Sequence, residues 1–192
     1  MGLEDLAARE LQRVLEIDPT SEFAKDLSLY QYQMNGRYDE WLAAHNRLYP
    51  NDSISGWYFL GKGSLKEAQK AIEELSEKIP DDIELPREKA LLLALKGEFS
   101  SAEAMIPPIL SKHHLKDLNY HHATYDIACI YALAGKSGEA VKWLRETAAT
   151  GFPNYPLFAR DAYLNNIRQA PEFVQFISEM KSLNEKYRNE FK

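Results

Sequence analysis

Four histidines, one cysteine and one glycine-flanked lysine are the side chains whose types and spacing first raise the question of chemistry. His113-His114 and His121-His122 bracket a short segment. If that segment folded compactly, two imidazoles could meet at a metal ion. No cysteine or paired carboxylate with ligand spacing accompanies them. The plainer reading is that His113 and His114 end one helix, where a partly positive side chain suits the helix dipole, and that His121 and His122 decorate the next. Cys129 follows His122 by seven residues and shares its helical face, which is the arrangement of a thiol–imidazole nucleophile pair. A thiol in a helix is far more often a small core side chain. Gly61-Lys62-Gly63-Ser64 superficially has the look of a phosphate loop, but the upstream glycine and the strand are missing. Nucleophile elbows and metalloprotease helices are absent. The expectation is a chain that is not an enzyme and holds no cofactor or metal.

Charge narrows the partners. The 192 residues carry 29 acidic and 23 basic side chains, a net charge of −6. Backbone contacts to nucleic acid need clustered Lys and Arg, so a nucleic-acid role is not expected. Membrane association is not expected either, since no apolar run approaches the roughly 20 residues that span a bilayer. Met1-Gly2-Leu3-Glu4-Asp5 has no basic region leading into an apolar stretch, so no signal peptide is read there. With one cysteine no intrachain disulfide can form, which fits a reducing, cytoplasmic setting.

The elements that must position these residues follow from a period. Gly63 and Gly97 are 34 residues apart, and so are Ala68 and Ala102. Gly135 with Ala140, and Gly36 with Trp41, repeat the five-residue step from glycine to a core-type side chain. Each glycine follows one helical pattern and precedes another, as a residue just past a helix C-terminus should. After the glycine, Ala68, Ile72 and Leu75 recur at i, i+4 and i+7 before Pro80; Ala7, Leu11 and Val14 do the same before Pro19. Ahead of it, a first helix carries Ala90 and Leu93, or Ala128 and Tyr131. The unit is therefore helix A, tight turn, helix B, loop. Ser64-x-x-Glu67, Ser100-x-x-Glu103 and Asp81-x-x-Glu84 read as capping signals at helix starts.

This pattern resembles the tetratricopeptide repeat (TPR) family, whose unit is 34 residues. Its small residue opening the stack is matched by Gly56, Ala90 and Ala128, and the large residue three further on by Phe59, Leu93 and Tyr131. Its helix B alanine is matched by Ala68, Ala102 and Ala140, and its closing proline by Pro19 and Pro80. The resemblance implies an all-α fold: one domain over 1–192, a right-handed α-α superhelix of about four repeats. Residues 3–18 read as a lone helix B, so the expectation is a chain that opens inside a repeat with one face uncovered, a site for self-association. From Gly36 to Gly63 is 27 residues, seven short of the period, which predicts lost turns near 38–48 and 53–61. Pro107-Pro108 predicts a break in the helix begun near Ser100. Residues 157–192 form a tail, with a capping helix opening at Pro171 and facing inward through Phe173, Phe176, Met180, Leu183 and Tyr187. The stretch from Ala128 to Phe176 resembles TPR regions of bacterial multidomain signalling proteins.

The same resemblance implies a binding groove lined by helix A positions. They map onto Phe23, Asp26 and Tyr30; Trp57 and Leu60; Arg87 and Leu91; and His122, Tyr125 and Cys129. Aromatics with an arginine are frequent anchors of protein interfaces. The Asn and Lys clamp by which some relatives grip a carboxylate has no counterpart at Tyr30, Trp57, Leu91 and Cys129. The expected function is a protein- or peptide-binding scaffold, a regulatory or interaction module of a larger signalling protein. The alternatives are a helical-hairpin enzyme, which would need converging acid and base groups, and an RNA-binding helical repeat, which would need a basic groove.

Overall fold

Gly36, Gly63, Gly97 and Gly135 have φ of +67°, +72°, +80° and +72°, a left-handed backbone that strains any residue with a Cβ. In the computed structural model, which describes residues 2–115, 117 and 119–191, all four end a helix in the same way. The residue after each glycine donates its N–H to a carbonyl five back: Arg37 to Tyr32, Ser64 to Phe59, Glu98 to Leu93, Lys136 to Tyr131, each at 2.9 Å. Each glycine N–H bonds the carbonyl three back. These paired bonds satisfy carbonyls that a helix end otherwise leaves open.

The described residues form α1 (Glu4–Ile17), α2 (Glu22–Met34), α3 (Tyr38–Leu48), α4 (Gly56–Lys62), α5 (Leu65–Lys78), α6 (Leu85–Leu95), α7 (Phe99–Ala104), α8 (Ile106–Lys112), α9 (Tyr120–Leu133), α10 (Ser137–Ala149), α11 (Tyr155–Arg160), a 3-10 turn (Ala162–Ile167) and α12 (Pro171–Glu190). None of them is in a strand, and no helix among them is long and apolar enough to cross a membrane. The fold is all-α. Helices flanking each glycine pack together, α2 on α3, α4 on α5, α6 on α7 and α9 on α10. First helices also touch across pairs, α4 on α6 and α6 on α9. Small side chains permit that approach. Ala68, Ala90, Ala102, Ala128 and Ala140 are all 0% exposed, and a Cβ on Gly56 would crowd Glu88 and Ile72.

The irregularities of the repeat have physical outlets. The seven missing residues fall mainly on α4, which has 7 residues where α6 has 11 and α9 has 14; α3 has 11 against 14 in α5. The proline pair divides the expected helix at Met105, and Pro107 and Pro108 sit in the first turn of α8, where a missing N–H costs nothing. The capping signals are corrected in part. The Ser64 side chain caps nothing and Ser100 lies inside α7. Asp82, not Asp81, accepts the N–H groups of Glu84 and Leu85, at 2.8 and 3.2 Å.

The two ends of the chain meet. α1 packs on α2 with Leu11 and Leu15 half-buried on that side and Leu6 half-buried beside the end of α12, while Ala7 and Val14, assigned by the sequence pattern to its inner face, are exposed. Nothing in α1 is fully buried, and Ile17 is 86% exposed. Arg160 of α11 donates to the Glu4 carboxylate (2.9 Å), the Met34 carbonyl (2.8 Å) and Asn35 Oδ1 (2.5 Å). α12 lies on α10 and α11, with Phe173 and Phe176 buried. Arg145 holds it from outside, over the Phe176 ring and bonded to Glu179.

Candidate functional site

α2, α4, α6 and α9 each turn part of one face toward a cavity of about 610 Å³. Tyr38 of α3 and the tail residues Leu157, Arg160, Asp161, Ala162 and Tyr163 complete the wall. Eight of the ten expected groove residues line it: Phe23, Asp26, Tyr30, Trp57, Arg87, Leu91, His122 and Tyr125. The remaining two are placed differently: Leu60 and Cys129 are each 1% exposed and belong to the hydrophobic core. Phe23, at 73% exposed, stands at the mouth. A second opening of about 760 Å³ runs between α1 and α2, but its lining is exposed or half-buried and gathers no buried charge.

Arg87 is the electrostatic centre. Its Nε donates to Asp126 Oδ2 at 2.6 Å, its Nη1 pairs with Glu84, and its guanidinium carbon stands 5.0 Å from the centre of the Trp57 ring. It is 6% exposed, and the neighbouring carboxylates hold it firmly protonated. Burial pushes the Asp126 carboxyl up to about 6 against the pull of Arg87, which leaves it ionised at neutral pH. The guanidinium is thus committed within the chain and is not a free anchor for a carboxylate.

His122 and Cys129, the candidate thiol–imidazole pair, each have other neighbours. His122 Nδ1 lies 2.9 Å from the Tyr30 hydroxyl. Burial, with His121 and Arg87 nearby, pushes its pKa down to about 3, so the ring is neutral. The Cys129 thiol is pushed well up by burial, the direction opposite to nucleophile activation. His113 is buried with Nε2 3.2 Å from the Ile83 carbonyl, and His121 stacks on Phe152 with ring centres 5.3 Å apart. Among the described residues no three His, Cys, Asp or Glu side chains stand close enough to hold a metal ion.

Tyr38, Asp126, Asp161 and Tyr163 are among the lining residues that repeat positions do not indicate. Asp161 opens the 3-10 turn, its Oδ1 accepting the Tyr163 N–H at 2.8 Å and its Oδ2 the Tyr125 hydroxyl at 2.5 Å. Burial raises its carboxyl above the ordinary range. Tyr38 reaches the wall because Gly61 has no side chain: a Cβ there would overlap the tyrosine ring. A signal for Asp126 was present, since a buried arginine must find a carboxylate. No family model, curated protein or solved structure matches the chain.

Proposed function

We propose that this chain is a tetratricopeptide-type scaffold that binds a protein or peptide in the cavity, and that it is not an enzyme. On this reading the four helical pairs stack as a right-handed α-α superhelix, α12 caps the stack, and the whole acts in the cytoplasm as an interaction module of a larger signalling protein. One observation carries the reading. Side chains from four separate helices, chosen by one repeat rule, converge on a single cavity rich in aromatic rings. Aromatics supply large contact area at low entropic cost. The four identical glycine turns and the touching first helices support the superhelix. Against catalysis stand the engaged Arg87, the neutral, tyrosine-bonded His122 and the protonated, buried Cys129.

The test uses side chains that can be removed without unfolding the chain. Phe23 is exposed and Trp57 half-buried, whereas Arg87→Ala would strand Asp126. A partner captured by the parent protein should be lost by folded Phe23→Ala/Trp57→Ala, with ΔΔG of about 2 kcal/mol or more if these are anchors. Full retention would move the binding site to the outer helix surfaces or to the Gly151, Phe152 and Pro153 loop.

A further inference from the structure

We propose that the cavity receives one basic side chain of a protein partner, the guanidinium or ammonium of an Arg or Lys, seated between the Asp161 carboxylate and the rings of Tyr38 and Tyr163. This rests on the peptide-binding reading above and names what the cavity selects.

Charge is the first support. The lining carries four carboxyl groups, Asp26, Glu84, Asp126 and Asp161, against two guanidiniums, Arg87 and Arg160, while His122 is neutral. Both guanidiniums are already committed, Arg87 to Asp126 and Glu84, and Arg160 to Glu4, Met34 and Asn35. Asp161 differs from Glu84 and Asp126, the lining acids that pair with Arg87. Its carboxylate accepts from a phenol and an amide, both neutral, and makes no ion pair among the described residues; Arg168, which donates to the Asp161 carbonyl, and Arg160 act on it from further away. An incoming anion would meet this carboxylate, which has no ion pair among the described residues, while both lining guanidiniums are already engaged.

The second support is an orphan. The Tyr163 hydroxyl is buried and has no hydrogen-bond partner among the described residues, a state that native structures rarely leave unexplained. It belongs to the same wall as Asp161, two residues away. A cationic donor would supply a hydrogen bond to the hydroxyl oxygen and an opposite charge to the carboxylate. The negative faces of Tyr38, Tyr163 and Trp57 favour the same occupant. An apolar side chain would leave the hydroxyl without a partner and the carboxylate without an opposite charge, and a carboxylate would add repulsion.

The probes are short Gly/Ser peptides with one central Arg, Lys, citrulline or Glu, titrated against the full chain with the Trp57 indole and Tyr163 resonances followed by NMR. Arg or Lys should bind at least about tenfold more tightly than citrulline or Glu, the scale of a charge-assisted hydrogen bond. Asp161→Asn, which keeps an oxygen for the Tyr163 N–H, should erase that preference with the melting temperature unchanged. Tyr163→Phe should weaken binding several-fold. Equal binding of Arg and citrulline peptides, or an intact preference in folded Asp161→Asn, overturns this inference and leaves peptide binding standing. Silence from every peptide overturns both. Free agmatine binding as tightly as the Arg peptide would make the cavity a small-cation site and overturn the protein partner.

Discussion

At the scale of the residue, burial decides more than charge type. Arg87, Asp126 and Glu84 form a network whose value lies in mutual satisfaction, because leaving one buried charge unpaired costs several kcal/mol. Glu88, one residue along α6, shows the opposite case. It is 1% exposed, accepts the Trp57 N–H at 3.2 Å through Oε1, and has no hydrogen-bond partner on Oε2 among the described residues. Burial raises its pKa to about 7 from an ordinary 4.5. The folded state therefore holds a proton that the unfolded chain releases. The resulting cost is absent below about pH 4.5, grows between 4.5 and 7, and is complete above 7. Glu88→Gln keeps an oxygen for Trp57 and removes the titration. It should stabilise the protein by about 2–3 kcal/mol at pH 8 and by little at pH 5. Thermal melts at the two pH values decide it; a variant that is less stable at pH 8 would mean the carboxylate is needed there.

At the scale of the element, the helices were legible where the cause was local. A glycine held at positive φ terminates a helix whatever surrounds it, so all four turns could be read from the chain, and so could the break before Pro107. The capping serines were misread because a short side chain beside a helix start need not point at it; backbone bonds do that work at Ser64. The face of α1 was misread for a different reason. A helix held by half-buried leucines, with nothing fully buried, tolerates rotation that a core helix does not. Gly61 was noted only as part of a glycine-flanked lysine, yet it sets the position of α3 against α4. Helix propensity alone predicts that Gly61→Ala stabilises α4 by about 0.5–1 kcal/mol. The overlap with Tyr38 reverses the sign: the ring must leave its place against Tyr58, where the centroids stand 6.2 Å apart. A net loss of about 1–3 kcal/mol is expected, as for other overpacked sites. Urea unfolding reads the sign directly, and a stabilised variant would show that Tyr38 is free to move.

At the scale of the whole molecule, the cavity exists because the tail returns to the start of the chain. No repeat position indicates this, which is why Asp161 and Tyr163 were invisible from periodicity while Phe23, Tyr30 and Trp57 were not. A repeat rule describes contacts between neighbours in sequence, and the bonds that close this cavity join residues more than a hundred apart, as Arg160 to Met34 and Asn35. Arg160, although exposed, ties three groups of the N-terminal helices to α11. The N-terminal pairs are also the less buried part of the chain: their core is the small cluster of Leu29, Trp41, Ala44 and Tyr58, separate from the large one around α9, α10 and α12. Local opening should therefore start at α1 and α2 and be governed by this clasp. Arg160→Ala should speed amide exchange in α1 and at the end of α2 around Met34 and Asn35, leave α9 and α10 protected, and weaken any ligand held between Tyr38 and Tyr163. Hydrogen exchange read segment by segment separates this from general destabilisation, in which α9 and α10 would lose protection together with α2. Unchanged exchange throughout would show that the leucines of α1 and the ring cluster of α2 to α4 hold the mouth of the cavity without the arginine.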